Sequence, residues 1–325
     1  MTSVYLTIDT EYSAALANGP CRVDRAENFM RSVACITPDG PAGITYKLDL
    51  LKRYGQRGVF FIDPMPALLW GVAAIEDVVA PILEAGQDIQ LHCHTEWLDL
   101  ALPDNPLKGL SGGNIKDFAF EDQCRILEWC RDTLVAAGAP APAAFRAGNY
   151  GANRDTLRAL CELGLNYDSS HTPGIPDSAC DLELSASDTQ PLLYEGLIEV
   201  PVSCVGDIGG RLRHAQVTAL SLKEMRAGLI HARDGRMSSF TLVSHSFELI
   251  NRRSLAINKL VRKRFEGLCK LLEKTPGIWT SDYTNSPPIN VFHRSDMPRP
   301  VPANTLTVGM RYAEQAVSNS LYGAI

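Results

Sequence analysis

The strongest constraint on how this chain can fold is a repeated local form: a short apolar stretch that ends on a polar or charged residue and follows a helix-like segment. "VYLTID" (4–9) sets the strand form, and "GVFFID" (58–63) and "DIQLHC" (88–93) repeat it. Between the last two, Ile75, Val78, Val79, Ile82 and Leu83 fall at i, i+3, i+4, i+7 and i+8, and Gly86 closes that helix before the next strand. The pattern continues through "AAFRAG" (143–148), "LNYDSS" (165–170), "LIEVPVS" (197–203), "FTLVSHS" (240–246) and a last strand near "GIWTSDY" (277–283). Helices are expected around Leu157, Leu160 and Cys161, on Leu222, Met225 and Leu229, and on Leu260, Val261, Phe265, Leu268 and Leu272. Alternation this dense, without a glycine-rich dinucleotide fingerprint, predicts a parallel α/β barrel rather than a doubly wound sheet.

Composition narrows the classes of partner. At 325 residues, 45% hydrophobic and 21% charged, the chain reads as globular throughout, with room for one large domain or two ordinary ones. A net charge of −6 with no basic block gives a nucleic acid or an anionic membrane surface nothing to bind. The nine cysteines (21, 35, 93, 124, 130, 161, 180, 204 and 269) include no CxxC pair, so neither a disulfide framework nor a zinc ribbon is expected, and most should be reduced, buried thiols. "MTSVYLTIDTEY" passes from Met1 straight into a strand pattern, without the charged and apolar regions of a signal peptide. No run approaches the roughly 18 apolar residues of a membrane helix. The expectation is a cytoplasmic protein.

Two stretches interrupt the alternation, residues 10–42 and the polar "PDNPLKGLSGGN" (103–114). In a barrel both would be loops on the C-terminal face, where such proteins build pockets. From residue 287 the chain carries prolines at 287, 288, 298, 300 and 302. The barrel is therefore expected over 1–286 and a Pro-rich extension over 287–325, drawn as an extended arm that wraps the domain or a partner subunit in a homo-oligomer. No internal repeat is present.

The polar residues cluster at one end of the expected barrel. Asp9 and Glu11, the run from His92 to Glu96, Arg146, Asp168 and His245 each stand at or just past the C-terminal end of a separate strand. Each has an ordinary reading alone: a hydrogen-bonded histidine, a solvated D-x-E, a structural ion pair, or a cap by Asp168 beside Ser169 and Ser170. Together, at five strand ends around an apolar interior, such groups are costly unless they share ligands or a reaction.

With these strings in order ("LTIDTE", "LDLLKRYGQRGVFFID", "ILEAGQDIQLHCHTE", "FRAGNYG", "LGLNYDSS", "IEVPVS", "LVSHS"), the chain resembles the polysaccharide deacetylases of the NodB-homology type, carbohydrate esterase family 4, over roughly 4–285. The resemblance implies a distorted (β/α) barrel of about seven strands, related to the TIM barrel. It implies that Asp9 is the catalytic base and Glu11 a metal ligand. The family's H-x-x-x-H motif aligns with "GQDIQLHCHTE" so that His92 takes the first histidine and Glu96 falls on the second.

That departure leaves two donor sets: Glu11, His92 and Glu96, or the same with His94 in place of Glu96. His92 and His94 share a face if the strand continues. Two imidazoles and one carboxylate suit zinc, and more carboxylate shifts the preference toward manganese, iron or magnesium. A purely structural alternative has Glu96 accepting from His94 in a polar rim, with Trp97 packed outside. By resemblance, Arg146 holds the base, a backbone amide near Tyr150 is the oxyanion donor, His245 is the general acid, and Asp168 tunes it. The implied function is metal-dependent removal of an N-acetyl or related N-acyl group from an amino sugar or glycoconjugate precursor. Hydrolysis of a formamide or cyclic amide, and a noncatalytic carbohydrate-binding protein, are the alternatives on the same fold.

Overall fold

The computed structural model describes residues 2–322. At its centre is one nine-stranded sheet. Its strands are β1 (Thr2–Thr10), β2 (Val59–Ile62), β3 (Asp88–Cys93), β4 (Ala144–Ala147), β5 (Tyr167–Asp168), β6 (Leu192–Tyr194), β7 (Leu197–Glu199), β8 (Ser239–His245) and β9 (Ile278–Thr280). They lie in the order β8-β1-β2-β3-β4-β5-β7-β6, with β9 paired to the start of β1. All pairings are parallel except β6 with β7. The gap between β7 and β8 is spanned by the chain leaving β7, where Ser203 N–H donates to Thr241 O at 3.1 Å and Thr241 N–H donates to Ser203 Oγ at 2.9 Å. The result is a distorted (β/α) barrel whose sheet is curled and incompletely closed.

Strand alternation sorts the side chains into an inner and an outer set. On β1, Val4, Leu6 and Ile8 face outward into the main apolar core, whereas Tyr5 joins a small inner cluster with Val59, Phe61, Ala144, Tyr167, Val200 and Tyr283. Tyr283 is the centre of this plug, its ring centroid 5.1 Å from Tyr5, 5.9 Å from Phe61 and 5.4 Å from Tyr167. The barrel is thus filled from below by aromatic side chains, and its polar residues stand above them. Truncating one such ring to alanine would cost about 3–5 kcal/mol.

Among the described residues, seven longer helices surround the sheet: α1 (Ile44–Arg53), α2 (Ala73–Glu84), α3 (Phe120–Ala136), α4 (Arg154–Glu162), α5 (Leu222–Asp234), α6 (Lys259–Lys274) and α7 (Thr305–Tyr322). The helices expected from periodicity are α2, α4, α5 and α6. The pattern of α3 does not stand out in the sequence, because six charged residues (Glu121, Asp122, Arg125, Glu128, Arg131 and Asp132) dilute a buried stripe of Ile126, Leu127, Cys130 and Leu134.

Several strands are shorter than their apolar runs. β5 stops at Asp168 because the next carbonyl, Ser169 O, turns to accept from Arg146, and β7 ends before Pro201, which has no N–H for a ladder. The interruption at 10–42 folds into two single-turn helices, a π-helical turn (Phe29–Val33) and a two-stranded ribbon.

The extended arm expected after residue 287 is only half extended. Beyond Pro302 nothing prevents a helix, and Asn304 Oδ1 accepts from Leu306 and Thr307 N–H at 3.1 and 3.2 Å, so the chain turns into α7. This segment is bonded to the barrel body. Gly206 N–H donates to Val301 O at 2.7 Å, and a Cβ at Gly206 would sit 2.5 Å from Ala303 N. Buried Arg311 reaches Asp207 Oδ1 at 2.8 Å and Glu224 Oε1 at 3.0 Å, while Glu224 also closes the capping box of α5 with Ser221.

Candidate active site

The inner parity of five strands delivers the polar residues to the C-terminal mouth. Tyr5, Thr7 and Asp9 lead to Glu11; Val59 and Phe61 to Asp63; Gln90 and His92 to His94; Ala144 to Arg146; Thr241 and Val243 to His245. Register then sets the neighbours, with Asp9 beside His245 across β1 and β8, and His92 beside Arg146 across β3 and β4.

Arg146 is fully buried. Its Nη1 donates to Asp9 Oδ1 at 2.6 Å and to Thr7 Oγ1 at 2.9 Å, Nε donates to Ser169 O at 3.2 Å, and Nη2 donates to Ser169 Oγ at 3.1 Å. The guanidinium lies over the Phe61 ring, 4.4 Å from its centroid. Burial alone would weaken the cation, but the facing Asp9 carboxylate more than offsets it and raises the arginine's pKa.

The other carboxylate oxygen, Asp9 Oδ2, lies 3.8 Å from His245 Nε2. The opposite ring nitrogen, Nδ1, is 3.0 Å from Glu248 Oε1. Glu248 also accepts from Gln216 Nε2, and from Ser244 Oγ at 3.0 Å. Burial works against the ionised forms of both partners. The contact wins: His245 is raised above its ordinary value and Glu248 is held down at about 2. Here the expectation for Asp168 is corrected. Tyr167 and Ser169 take the inward positions of that segment, so Asp168 points to the outer face, where it meets Ser170 and its cross-strand neighbour Glu199. Glu248, three residues beyond His245, is the acid that touches the imidazole.

On the other side of Asp9, Glu11, His92 and His94 bring three donor atoms within 4.8 Å of one another. Glu11 Oε2 is 2.6 Å from His94 Nε2 and 3.6 Å from His92 Nε2; burial works against the charged forms, but the contact holds the Glu11 carboxyl well below its ordinary value and raises His94 well above its own. The outer nitrogens are bonded from behind. His92 Nδ1 faces Arg146 O at 2.6 Å and His94 Nδ1 faces Glu96 Oε2 at 3.1 Å, and both of those partners accept protons. Each Nδ1 is thereby assigned a proton, and Nε2 is the nitrogen that each ring turns toward the Glu11 carboxylate. Such an arrangement fits a cation: two imidazoles and one carboxylate, each histidine oriented from behind.

Glu96 therefore supports His94 from outside the donor group instead of joining it, and Trp97 is buried, packing edge-on against Trp70 with ring centroids 5.3 Å apart. Gly148, just after Arg146, permits this packing. A Cβ there would meet Cys93 O at 2.6 Å and the His94 ring at 2.8 Å.

Three further residues belong to the neighbourhood. Asp63 Oδ1 accepts from Met65 N–H at 3.1 Å and His94 N–H at 3.3 Å, its Oδ2 is buried without a donor, and burial pushes it up to about 7. "GVFFID" ends on a carboxylate just as "VYLTID" does, so its signal was visible. Tyr150 follows Asn149 in a turn where both have positive φ, 59° and 53°. Its hydroxyl is buried without a partner, and burial keeps it protonated against the pull of Arg146. Lys47, fully buried on α1, donates from Nζ to Ser244 Oγ at 2.6 Å.

Comparison with solved structures places the fold. A Mycobacterium smegmatis protein assigned as a polysaccharide deacetylase matches 86% of this chain and 86% of its own at 18% identity, with a TM-score of 0.53. The 4-alpha-glucanotransferase of Thermococcus litoralis matches 92% of this chain and 41% of its own at 11% identity, with a TM-score of 0.51. A family 4 carbohydrate esterase from Streptomyces lividans, solved in complex with acetate, matches 93% of this chain and 98% of its own at 9% identity, with a TM-score of 0.43. No protein-family model and no curated protein matches the sequence. The chain has the polysaccharide-deacetylase fold, the NodB-like distorted (β/α) barrel.

Proposed function

We propose that the protein is a metal-dependent hydrolase that removes an N-acetyl or related N-acyl group from an amino sugar or glycoconjugate precursor. One observation carries the reading: the convergent donors of Glu11, His92 and His94 stand beside an Asp9 held by Arg146, with His245 on the far side. The fold alone does not choose, since an α-glucan transferase has it too. Glycosyl transfer has no use for two imidazoles gathered on one carboxylate, whereas two histidines and a carboxylate are a set that holds a hydrolytic metal.

Glu11, His92 and His94 would hold the cation, and this donor set favours zinc, with manganese, iron and magnesium as weaker fits. A cation there supplies Lewis acidity to the acyl carbonyl and lowers the pKa of the attacking water. Asp9 takes the water's proton at Oδ2, the oxygen that Arg146 leaves free, while Arg146 fixes the carboxylate in place through Oδ1. His245, held as imidazolium by Glu248, protonates the leaving nitrogen, which is far too basic to depart as an anion. The turn at Tyr150 faces the same space and is the proposed oxyanion side.

All nine cysteines are free thiols, which suits a reducing compartment and hence precursors on the cytoplasmic side. The same groups would hydrolyse a formamide or cyclic amide, and the two-residue spacing of the histidines makes those substrates worth testing in parallel. A carbohydrate-binding protein without turnover would need neither the Arg146 clamp nor Glu248 behind His245.

The test is elemental analysis of the purified chain together with acetate release from N-acetylglucosamine oligomers. Near-stoichiometric metal, lost in His92→Ala, and acetate release dependent on that metal are expected. Failure to retain zinc, manganese or iron after reloading would overturn the proposal.

A further inference from the structure

Behind Glu248 the chain of polar contacts continues to a cation that the chemistry above does not use. Lys47 lies on α1 with no exposed surface, its Nζ 4.2 Å from the centroid of the Phe265 ring. Its Nζ donates to Ser244 Oγ at 2.6 Å, and Ser244 Oγ in turn donates to Glu248 Oε2 at 3.0 Å. The other oxygen of Glu248 holds His245 Nδ1 at 3.0 Å. A buried ammonium is expensive, and a residue serving only to fill space here would be leucine or methionine.

We propose that Lys47 is a positioning residue for His245, acting through Ser244 and Glu248 to keep the imidazolium acidic enough to give up its proton. This rests on the reading of His245 as the general acid. Glu248 is one carboxylate shared between two cations. Each hydrogen bond drawn toward Ser244 and Lys47 withdraws negative charge from the oxygen facing His245. Without that withdrawal, Glu248 would hold the His245 proton more tightly, and a weaker acid protonates a leaving nitrogen less effectively near neutral pH.

The groups facing the chain of contacts are few. Lys47 is surrounded by Glu248, the thiols of Cys35 and Cys269, and the Phe265 ring. His245 faces Glu248, Asp9 and Gln216, with Glu11 further off. Burial draws Lys47 down to about 8, the nearby Glu248 opposing it, so the ammonium is still mainly charged at neutral pH.

The experiment is an NMR titration of the histidine rings in the full chain loaded with zinc, the His245 signal being assigned by its loss in His245→Gln. Lys47→Met and Ser244→Ala should both move the His245 midpoint to higher pH, and Glu248→Gln should move it to lower pH. Opposite shifts from residues on one chain of contacts are not produced by general loosening. An unmoved or lowered midpoint in folded Lys47→Met overturns the proposal. Should that variant not fold, Ser244→Ala decides in the same way, because it keeps both charges. The readout needs no turnover: an inactive protein with the expected shifts overturns the hydrolase reading alone, and an active one with an unmoved His245 overturns the role of Lys47 alone.

Discussion

Glu248 lies 3.0 Å from Nδ1 of His245, on the ring nitrogen opposite the one that faces Asp9. The imidazole is therefore held between two carboxylates, one of which is itself committed to Arg146. This row of alternating charges across the mouth of the barrel sets several expectations.

The first concerns pH. His245 is raised chiefly because Glu248 outweighs the cost of burial, so in Glu248→Gln the alkaline limb of kcat/KM should move to lower pH. Stability should change at the other end. Glu248 is held at about 2 against an ordinary 4.5, so its contribution is complete above about pH 4.5 and is lost as the pH falls toward 2. That contribution is roughly 3 kcal/mol. Urea melts of wild type and Glu248→Gln should accordingly converge over this window, and parallel curves would refute the assignment.

Metal retention should separate the histidines from Glu96. Loss of bound metal is expected in His92→Ala and His94→Ala. Glu96→Ala, which removes the acceptor behind His94 Nδ1, should weaken binding by about 10- to 100-fold without abolishing it. Competition with a chelator measures the difference. Equal loss in all three variants would make Glu96 a direct ligand.

Asp9→Asn should keep its metal and lose turnover by about 10²- to 10⁴-fold. It should also lose about 3–5 kcal/mol of stability, because the buried guanidinium of Arg146 is left without its counterion. Metal analysis, steady-state kinetics and a denaturant melt on the same preparation test all three parts.

Arg311→Met should destabilise the chain by about 3–5 kcal/mol, leaving Asp207 and Glu224 facing each other without a cation. Metal content should not change. Unaltered stability would mean that α7 is an appendage and not part of the folded body.

How far the site could be read from the sequence depended on parity. Asp9, Glu11, His92, His94, Arg146 and His245 sit at the ends of strong apolar runs, where the two-residue period projects cleanly to the mouth. Asp168 sits in a strand only two residues long, where a one-residue error reverses the face, and Ser169 holds the inward position instead. Glu248 and Lys47 lie on no strand of the sheet, and only three-dimensional packing brings them behind His245. The choice between His94 and Glu96 depended on where β3 ends, at Cys93, and no period specifies that. The barrel itself was legible because its strands are nearly continuous apolar runs, whereas α3 and α7 were hidden by dense charge in one and preceding prolines in the other.

Arg146 meets the barrel on several sides at once: β1 through Thr7 and Asp9, the turn after β5 through Ser169, and β2 through the face of Phe61. The group that aims the proposed base is thus also a strut across the interior. Freeing Asp9 would require the barrel itself to come apart, so the protein has no cheap way to be folded but misaligned. Heat inactivation should then follow the same curve as unfolding, without the earlier, local loss of activity seen when a catalytic group rides on a loose loop.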